Sequence, residues 1–330
     1  MRDKQSILTE KKQLRDRWLI VDQVEGMNYG QFFNEFDDYL QYQIATLMEN
    51  QRLLATMKEK NNEKKRGTDE FREFSEMEKR FNRLSPELVG RVMRKLAFKH
   101  LVNFQAQLAP ADLIFYEQYQ INQEKSGIER VEKSDPVLAK TRWLKSVFNL
   151  QENTGDMEKE QFAVSVANEI DREIAKDLVL NVATKAKRKY ENFEQFYSVL
   201  VEVTGVIRRK CGAPNQSSWL FTSEELAQRI AEEAPYYNFN FDSSHDIYKV
   251  GVLNNWAVYV DKEFAKKQVL MGVSGDTMGY WYSGYLPLDY SEGVIPWLRD
   301  DHEGNLLTRY GKKLLRNGGS KRYALIDFED

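Results

Sequence analysis

The sequence has little of the chemistry from which active sites are usually built. One cysteine, Cys211, in 330 residues excludes an intrachain disulfide and a cysteine-based zinc site, and points to a reducing compartment. The three histidines, His100, His245 and His302, stand far apart, and none has a partner at metal-ligand spacing. There is no phosphate-binding Gly-Lys-Ser/Thr loop and no dinucleotide-binding glycine fingerprint. Gly272-Val273-Ser274-Gly275 comes near a nucleophile elbow but lacks its spacing. Asp300-Asp301-His302-Glu303 could seed a metal site, yet a polar loop of acids is more often simply solvated. No apolar run is long enough to span a bilayer, and the N-terminus has no hydrophobic core segment, so neither signal peptide nor anchor is expected. Neither sign of charge dominates: 30% of residues are charged and the net charge is −3. That argues against the basic footprint of a nucleic-acid binder. A mildly acidic shell around DNA would fit, and so would most cytosolic proteins. The residues therefore nominate no catalytic group, cofactor or metal, and leave an enzyme unsupported.

What is present is hydrophobic periodicity in three zones. In the first, residues 1 to about 80, Leu14, Trp18 and Val21, then Phe32, Phe36, Tyr39 and Leu40, recur at helical spacing. The run from Lys58 to Arg66 has no apolar residue and ends at Gly67, as a solvated helix face or a linker would. Two readings stay open here: amphipathic helices packed on the body, or an arm that docks on neighbouring copies. In the second zone, Ser85-Pro86-Glu87 reads as a helix start, because proline in the first turn loses nothing. Leu88, Val92 and Leu96 form its stripe. Residues 102–116 read strand, turn, strand. Residues 117–155 are polar and read as irregular, a loop of unusual length.

The third zone is better patterned. Asp156, Glu158 and Glu160 crowd the first turn of a helix, and Phe162, Val166, Ile170, Ile174 and Leu178 run down one face. Asp171-Arg172-Glu173 on that helix reads most simply as a solvated, charged face. A second helix opens at Asn192 with Gln195 placed to reach back. Its stripe is Phe196, Leu200, Val203 and Ile207, and Arg208-Arg209-Lys210 complement its negative end. Ser218–Phe221 is a strand, and Thr222-Ser223-Glu224-Glu225 a capping box. Two strands flank Asn254-Asn255, a hairpin turn, and Val269–Val273 is another. The aromatic stretch Tyr280–Asp289 is a buried strand that Pro287 should end, and Leu306–Gly311 is its counterpart near the C-terminus. An arginine in that last strand, Arg309, must find a carboxylate or carbonyls, because burying it unpaired is costly.

In their order, these segments resemble the major capsid proteins of T-even-type tailed phages. That family closes with an aromatic-Pro-Tyr-x-Pro-Leu strand followed by Thr-Arg-Tyr-Gly, matched here by Tyr280–Asp289 and Thr308-Arg309-Tyr310-Gly311. Its Val-Gln-Pro-Met to Gly-Leu-Ile-Phe segment is matched by Gln105, Pro110 and Leu113-Ile114-Phe115, with Ala106 in place of proline and Asp112 in place of glycine. Its Glu-Ile-Asn/Asp-Arg-Glu spine-helix motif is matched at Glu169–Glu173, and its Val-Tyr-Val-Asp element at Val258–Asp261. The resemblance covers roughly residues 85 to 311.

The fold it implies is α+β, the Hong Kong 97-type capsid fold. The implied division is an N-terminal helical arm over 1–83, the first part of a perimeter domain over 84–116, and an extended loop over 117–155. The spine helix would follow over 156–190, an axial domain over 191–285, and the closing perimeter strands and tail over 286–330. The implied function is a structural subunit that self-assembles as hexamers and pentamers into an icosahedral head holding double-stranded DNA. Its implied partners are itself, portal, scaffold and decoration proteins, and DNA without sequence specificity. Its place would be the virion, after assembly in the host cytoplasm, with no membrane involved. The rivals are an encapsulin-type compartment shell and an unrelated α+β enzyme or binding module. Trp143, Leu144 and Phe148 late in the loop, Trp18, Phe32 and Phe36 in the arm, and Arg309 are the candidate inter-subunit contacts, with Trp143 as anchor. Leu8-Thr9-Glu10 and Leu47-Met48-Glu49 fit the Leu-x-Glu context of the family's maturation protease, but so short a pattern recurs by chance, and the expectation is no cleavage.

Overall fold

The computed structural model describes residues 3–20, 29–68, 76–122, 127–144, 155–189, 191–211, 218–242, 245–273, 279–292, 304–315 and 322–329. Helices α1 (Lys4–Ile20), α2 (Tyr29–Phe33), α3 (Asp38–Lys65) and α4 (Glu76–Lys95) come first. A short turn of 3-10 helix (Phe98–His100) leads to strand β1 (Asn103–Phe104) and to the hairpin β2 (Ala111–Asn122) and β3 (Gly127–Leu138). Strand β4 (Lys140–Leu144) precedes the long helix α5 (Asp156–Asp177), which ends in a π-helical turn (Leu178–Val182). The rest is β5 (Thr184–Lys189), α6 (Phe193–Cys211), β6 (Ser218–Ser223), α7 (Glu224–Glu233), β7 (Ile247–Leu253), β8 (Trp256–Asp261), β9 (Gln268–Val273), β10 (Tyr280–Glu292), β11 (Gly304–Leu314) and β12 (Tyr323–Glu329).

The described strands make two sheets and a separate two-stranded ribbon. One sheet has the order β1-β10-β11-β4, and the other β5-β12-β9-β6-β8-β7. The ribbon is β2 with β3. The six-stranded sheet is covered on one face by α6 and α7, with Phe196, Leu200, Ile207 and Ile230 packed on Val258, Met271 and Ile326. Its other face, through Trp219, Phe221, Leu270 and Leu325, joins a core shared with α3, α4, α5 and the four-stranded sheet. Each large apolar side chain so buried contributes about 1.5–3 kcal/mol, and α5 presents Phe162, Val166, Ile170 and Ile174 to that core, with Leu178 of the π-helical turn continuing the stripe.

Local chemistry explains the element ends. Asp37 caps α3 by accepting from Leu40 N, and Ser223 caps α7 by accepting from Leu226 N. Asn192 Oδ1 accepts from Gln195 N at 3.0 Å, and Gln195 Oε1 accepts from Glu191 N. The β7–β8 turn holds Asn254 at φ 52°, a conformation asparagine tolerates better than most residues.

Three expectations are corrected. Pro86 does not start a helix but lies inside α4. A proline there leaves the carbonyl four residues back without its donor, and the hydroxyl of Ser85 fills the gap by donating to Asn82 O at 3.0 Å. Residues 117–155 are not an irregular loop as a whole: β2 and β3 pair over twelve residues each, from Ala111↔Leu138 to Asn122↔Gly127, and β4 pairs with β11. Residues 145–154 fall outside the described ones. Pro287 does not end its strand, because β10 continues to Glu292 through register shifts on either side of Leu286, the irregularity that accommodates a proline within a sheet. Two C-terminal strands part company. β10 runs straight through residue 285 inside the four-stranded sheet, while the tail strand β12 enters the six-stranded sheet between β5 and β9. Its Ala324, Ile326 and Phe328 fill the core beneath α6.

Candidate functional site: the joint at the long helix and the hairpin above it

Three consecutive charged residues of α5 bind three different parts of the chain. Asp171 is fully buried and accepts from the backbone N–H groups of Ala97 at 2.7 Å and Phe98 at 3.0 Å. It thereby caps the 3-10 turn that follows α4. Burial pushes its pKa up to about 7, against the two N–H donors and the nearby Lys99 cation. Arg172 reaches the six-stranded sheet, where Asp261, Asp246 and Glu263 surround it at 3.2–3.3 Å. Glu173 takes Arg142 of β4 at 2.8 Å. The solvated-face reading of this triplet is therefore corrected. Asp171 is closed off from solvent, and Arg172 and Glu173, though part-exposed, are held by charged partners from other parts of the chain. One turn further, Asp177 binds Lys312 of β11 at 2.9 Å.

Arg142 carries the joint into the closing strands. Its guanidinium lies 3.6 Å above the centre of the Tyr310 ring and donates to Tyr310 O at 2.7 Å. The Tyr310 hydroxyl is hydrogen-bonded to Glu173. Arginine suits this place because its planar cation can stack and bond at once. Neighbouring Arg309 binds Asp289 at 2.9 Å, and the same carboxylate takes Lys58 of α3 at 2.7 Å. Asp289 is buried, so two cations answer a charge that would be costly alone.

Gly311 explains the hairpin's seat. A Cβ there would fall 2.5 Å from Val137 Cγ2 and 3.0 Å from Leu138 O. The foot of the hairpin crosses β11 at that point, and only glycine leaves room. Ile114 and Val137 at the foot pack with Trp281 and Leu315. Gln105 clasps β2 from the side, donating to Leu113 O at 2.7 Å and accepting from Phe115 N at 3.1 Å. Both departures from the capsid-family pattern acquire a role here. Asp112 accepts from Leu108 N and Leu113 N and so makes the turn by hydrogen bonding. Ala106 N donates to Gln43 Oε1 at 2.8 Å, a bond proline could not make.

The candidate contact residues divide. Trp18 and Phe32 are buried in the chain's own core, with Phe36 packed against it. Those three are thus packed within the chain itself. Leu144 is half-buried against the same core. The backbone of Trp143 pairs with Leu307, but its side chain is outside the described ones, as is all of Phe148. Arg309 is engaged inside the chain by Asp289. Of the two protease-type sequences, Leu47-Met48-Glu49 lies mid-α3 and is buried. Leu8-Thr9-Glu10 lies in α1.

Sequence reasoning missed the clamp between α4 and α5. Glu87 and Lys159 form a buried ion pair at 3.1 Å, and Arg91 spans Glu87, Asp156 and Glu160. The crowding of acids at the start of α5 was its visible trace. Among the described residues no group of histidine, cysteine and acidic side chains could hold a metal, and no helix is long and apolar enough to cross a membrane. Asp300-Asp301-His302-Glu303 lies outside the described residues.

No protein-family model matches the sequence, and no curated protein does. Among solved structures, the chain is similar to the capsid of Ralstonia phage GP4, with TM-score 0.41 and 8% identity over 72% of this chain and 92% of that one. It is also similar to the capsid of cyanophage P-SCSP1u, with TM-score 0.39 and 8% identity over 71% and 88%. A third is the SrpI encapsulin complex from Synechococcus elongatus PCC 7942, with TM-score 0.38 and 11% identity over 71% and 88%. Two are phage capsids and one is an encapsulin. These are distant likenesses.

Proposed function

We propose that this chain is a shell-building structural protein, the major capsid subunit of a tailed-phage head. The observation that carries the reading is the β2–β3 hairpin. Twelve paired residues per strand make a ribbon about 40 Å long at the ordinary rise of a strand. Its strands join neither sheet, and its described core residues, Ile114 and Val137, sit at the foot. An isolated two-stranded ribbon is marginal in water, and ordering each residue costs about 1–2 kcal/mol of backbone entropy. A neighbouring copy supplies the surface that offsets this cost. The residue-by-residue resemblance to T-even-type capsid subunits supports the same reading, because its matched residues Asp171, Arg172, Tyr310 and Gly311 are the ones that build the joint under the hairpin.

On this reading, subunits ring into hexamers and pentamers, α5 is the spine, the four-stranded sheet belongs to the perimeter and the six-stranded sheet to the axial part. The head would enclose double-stranded DNA held without sequence specificity, with portal, scaffold and decoration proteins as its other partners. Light scattering and electron microscopy of the expressed chain test it. Closed megadalton shells are expected, and a monodisperse monomer at micromolar concentration refutes the reading. An encapsulin-type compartment is the second reading, which the same particles separate: nuclease-protected DNA marks a head, and co-purifying cargo protein without DNA marks a compartment.

A further inference from the structure

The body-facing stripe of α1 is Ile7, Lys11, Leu14 and Trp18, all buried. The spacing of four, three and four is that of one helix face, but its second position is a lysine. Lys11 Nζ is 1% exposed by residue and donates to Ala106 O at 2.5 Å and to Gln43 Oε1 at 2.9 Å. Since Gln43 Oε1 also accepts from Ala106 N, these three residues close a ring that ties α1 to α3 and to the strand ahead of β2. A lysine ammonium has three protons to place, and the ring offers two acceptors. A neutral amine, with two protons, fits it completely.

Burial accordingly pulls the amine down to about 7, although Asp112 on β2 and Glu10 on α1 act to raise it. Asp112 is close in charge but already spent, since both its oxygens take backbone N–H groups. The other ionisable groups around the seat are Lys4 on α1, Asp37 ahead of α3, Lys99 and His100 on the 3-10 turn, and Tyr39 and Tyr116. They border a cavity of about 440 Å³ that Lys11 also lines, which is roomy enough to admit water once the helix loosens. The remaining polar ties of α1 lie largely at the surface: Lys4 with Glu132 of the hairpin, Arg15 with Asp38 at 3.9 Å, and Arg17 with Glu49 at 3.7 Å.

We propose that α1 is a proton-released strap, docked while Lys11 is a neutral amine and lifted from its seat on Gln43 and Ala106 when Lys11 takes up a third proton. The third proton has no acceptor in the ring, and a charged amine must be hydrated or leave. Release frees Lys4 from Glu132 as well, so the strap and the hairpin loosen together. This inference does not depend on the capsid reading.

Hydrogen exchange on this chain tests it, read as protection factors for residues 4–20 between about pH 9.5 and pH 6. One linked proton makes protection in α1 fall about tenfold per pH unit from the free lysine's value of about 10.4 down to the docked amine's titration point, and level off below it, while protection in α5 does not follow that slope. In Lys11→Met, which keeps the length and the stripe, α1 stays protected and flat with pH. Flat protection in the wild type, or the same slope in Lys11→Met, overturns the proposal. Should Lys11→Met fail to fold, the wild type alone decides through an NMR titration of the Lys11 Cε signal. A midpoint near 7 supports the strap, and a midpoint at the ordinary lysine value of about 10.4 overturns it.

Discussion

Asp171 holds the most consequential proton of the joint. Its folded pKa, raised to about 7 by burial, exceeds the ordinary aspartate value of about 3.9. The folded state therefore holds the proton more tightly than the unfolded state does. The resulting stabilisation is complete below about pH 4 and is lost as pH rises through about 7. Urea denaturation across that window should show stability falling with pH, and Asp171→Asn should remove much of the slope. Asp171→Ala, which leaves the Ala97 and Phe98 N–H groups buried and unpaired, should cost about 1–3 kcal/mol for each. Gly311→Ala is the second residue-scale test. The added methyl meets Val137 and a backbone carbonyl that cannot both give way, so a loss of about 1–3 kcal/mol is expected, with exchange protection falling first at the hairpin foot.

At the scale of elements, Arg142 pins the outermost strand of the four-stranded sheet. Arg142→Lys keeps the charge on Glu173 but gives up the stacked plane over Tyr310, so thermal denaturation should report a deficit of about 0.5–2 kcal/mol. A deficit near zero would mean that the ion pair alone holds β4. Elements with a period were legible in the sequence: the stripes of α5 and α6 are buried as their spacing requires, and the Asn254 hairpin and the Ser223 cap are where the residue types put them. The β2–β3 ribbon was not, because a strand whose partner is its own hairpin mate need show no apolar alternation. The Asp171-Arg172-Glu173 triplet was misread for a related reason. Charge along a helix tells which residues want water or a partner, and only the fold tells which they find. Pro86 fell inside its helix because the hydroxyl that rescues Asn82 O sits on the residue before it, and such a local repair looks the same in sequence as a helix start.

For the whole molecule, the burial of Trp18 and Phe32 bears on where the proposed shell contacts would lie. These side chains cannot anchor a neighbour without unpacking, which leaves the hairpin as the main candidate. Replacing residues 117–132 by a two-residue Asn-Gly turn should leave a soluble, folded subunit with unchanged denaturation midpoint and no shells by light scattering. A clearly lowered midpoint would assign the ribbon to the subunit's own stability instead. Proteolysis at Glu49 is excluded in the folded subunit by the burial of Leu47 and Met48, so intact-mass measurement of particles should find no species beginning at Asn50.

The position of β12 bears on the order in which the chain can be made. This strand lies between β5 and β9, parallel to one and antiparallel to the other, yet the ribosome delivers it after every other strand. Until it emerges, β5 has no partner in the sheet and β9 shows an open edge, a state prone to pairing with foreign strands. The nascent chain is thus kept from its finished form until Tyr323–Glu329 has left the ribosome.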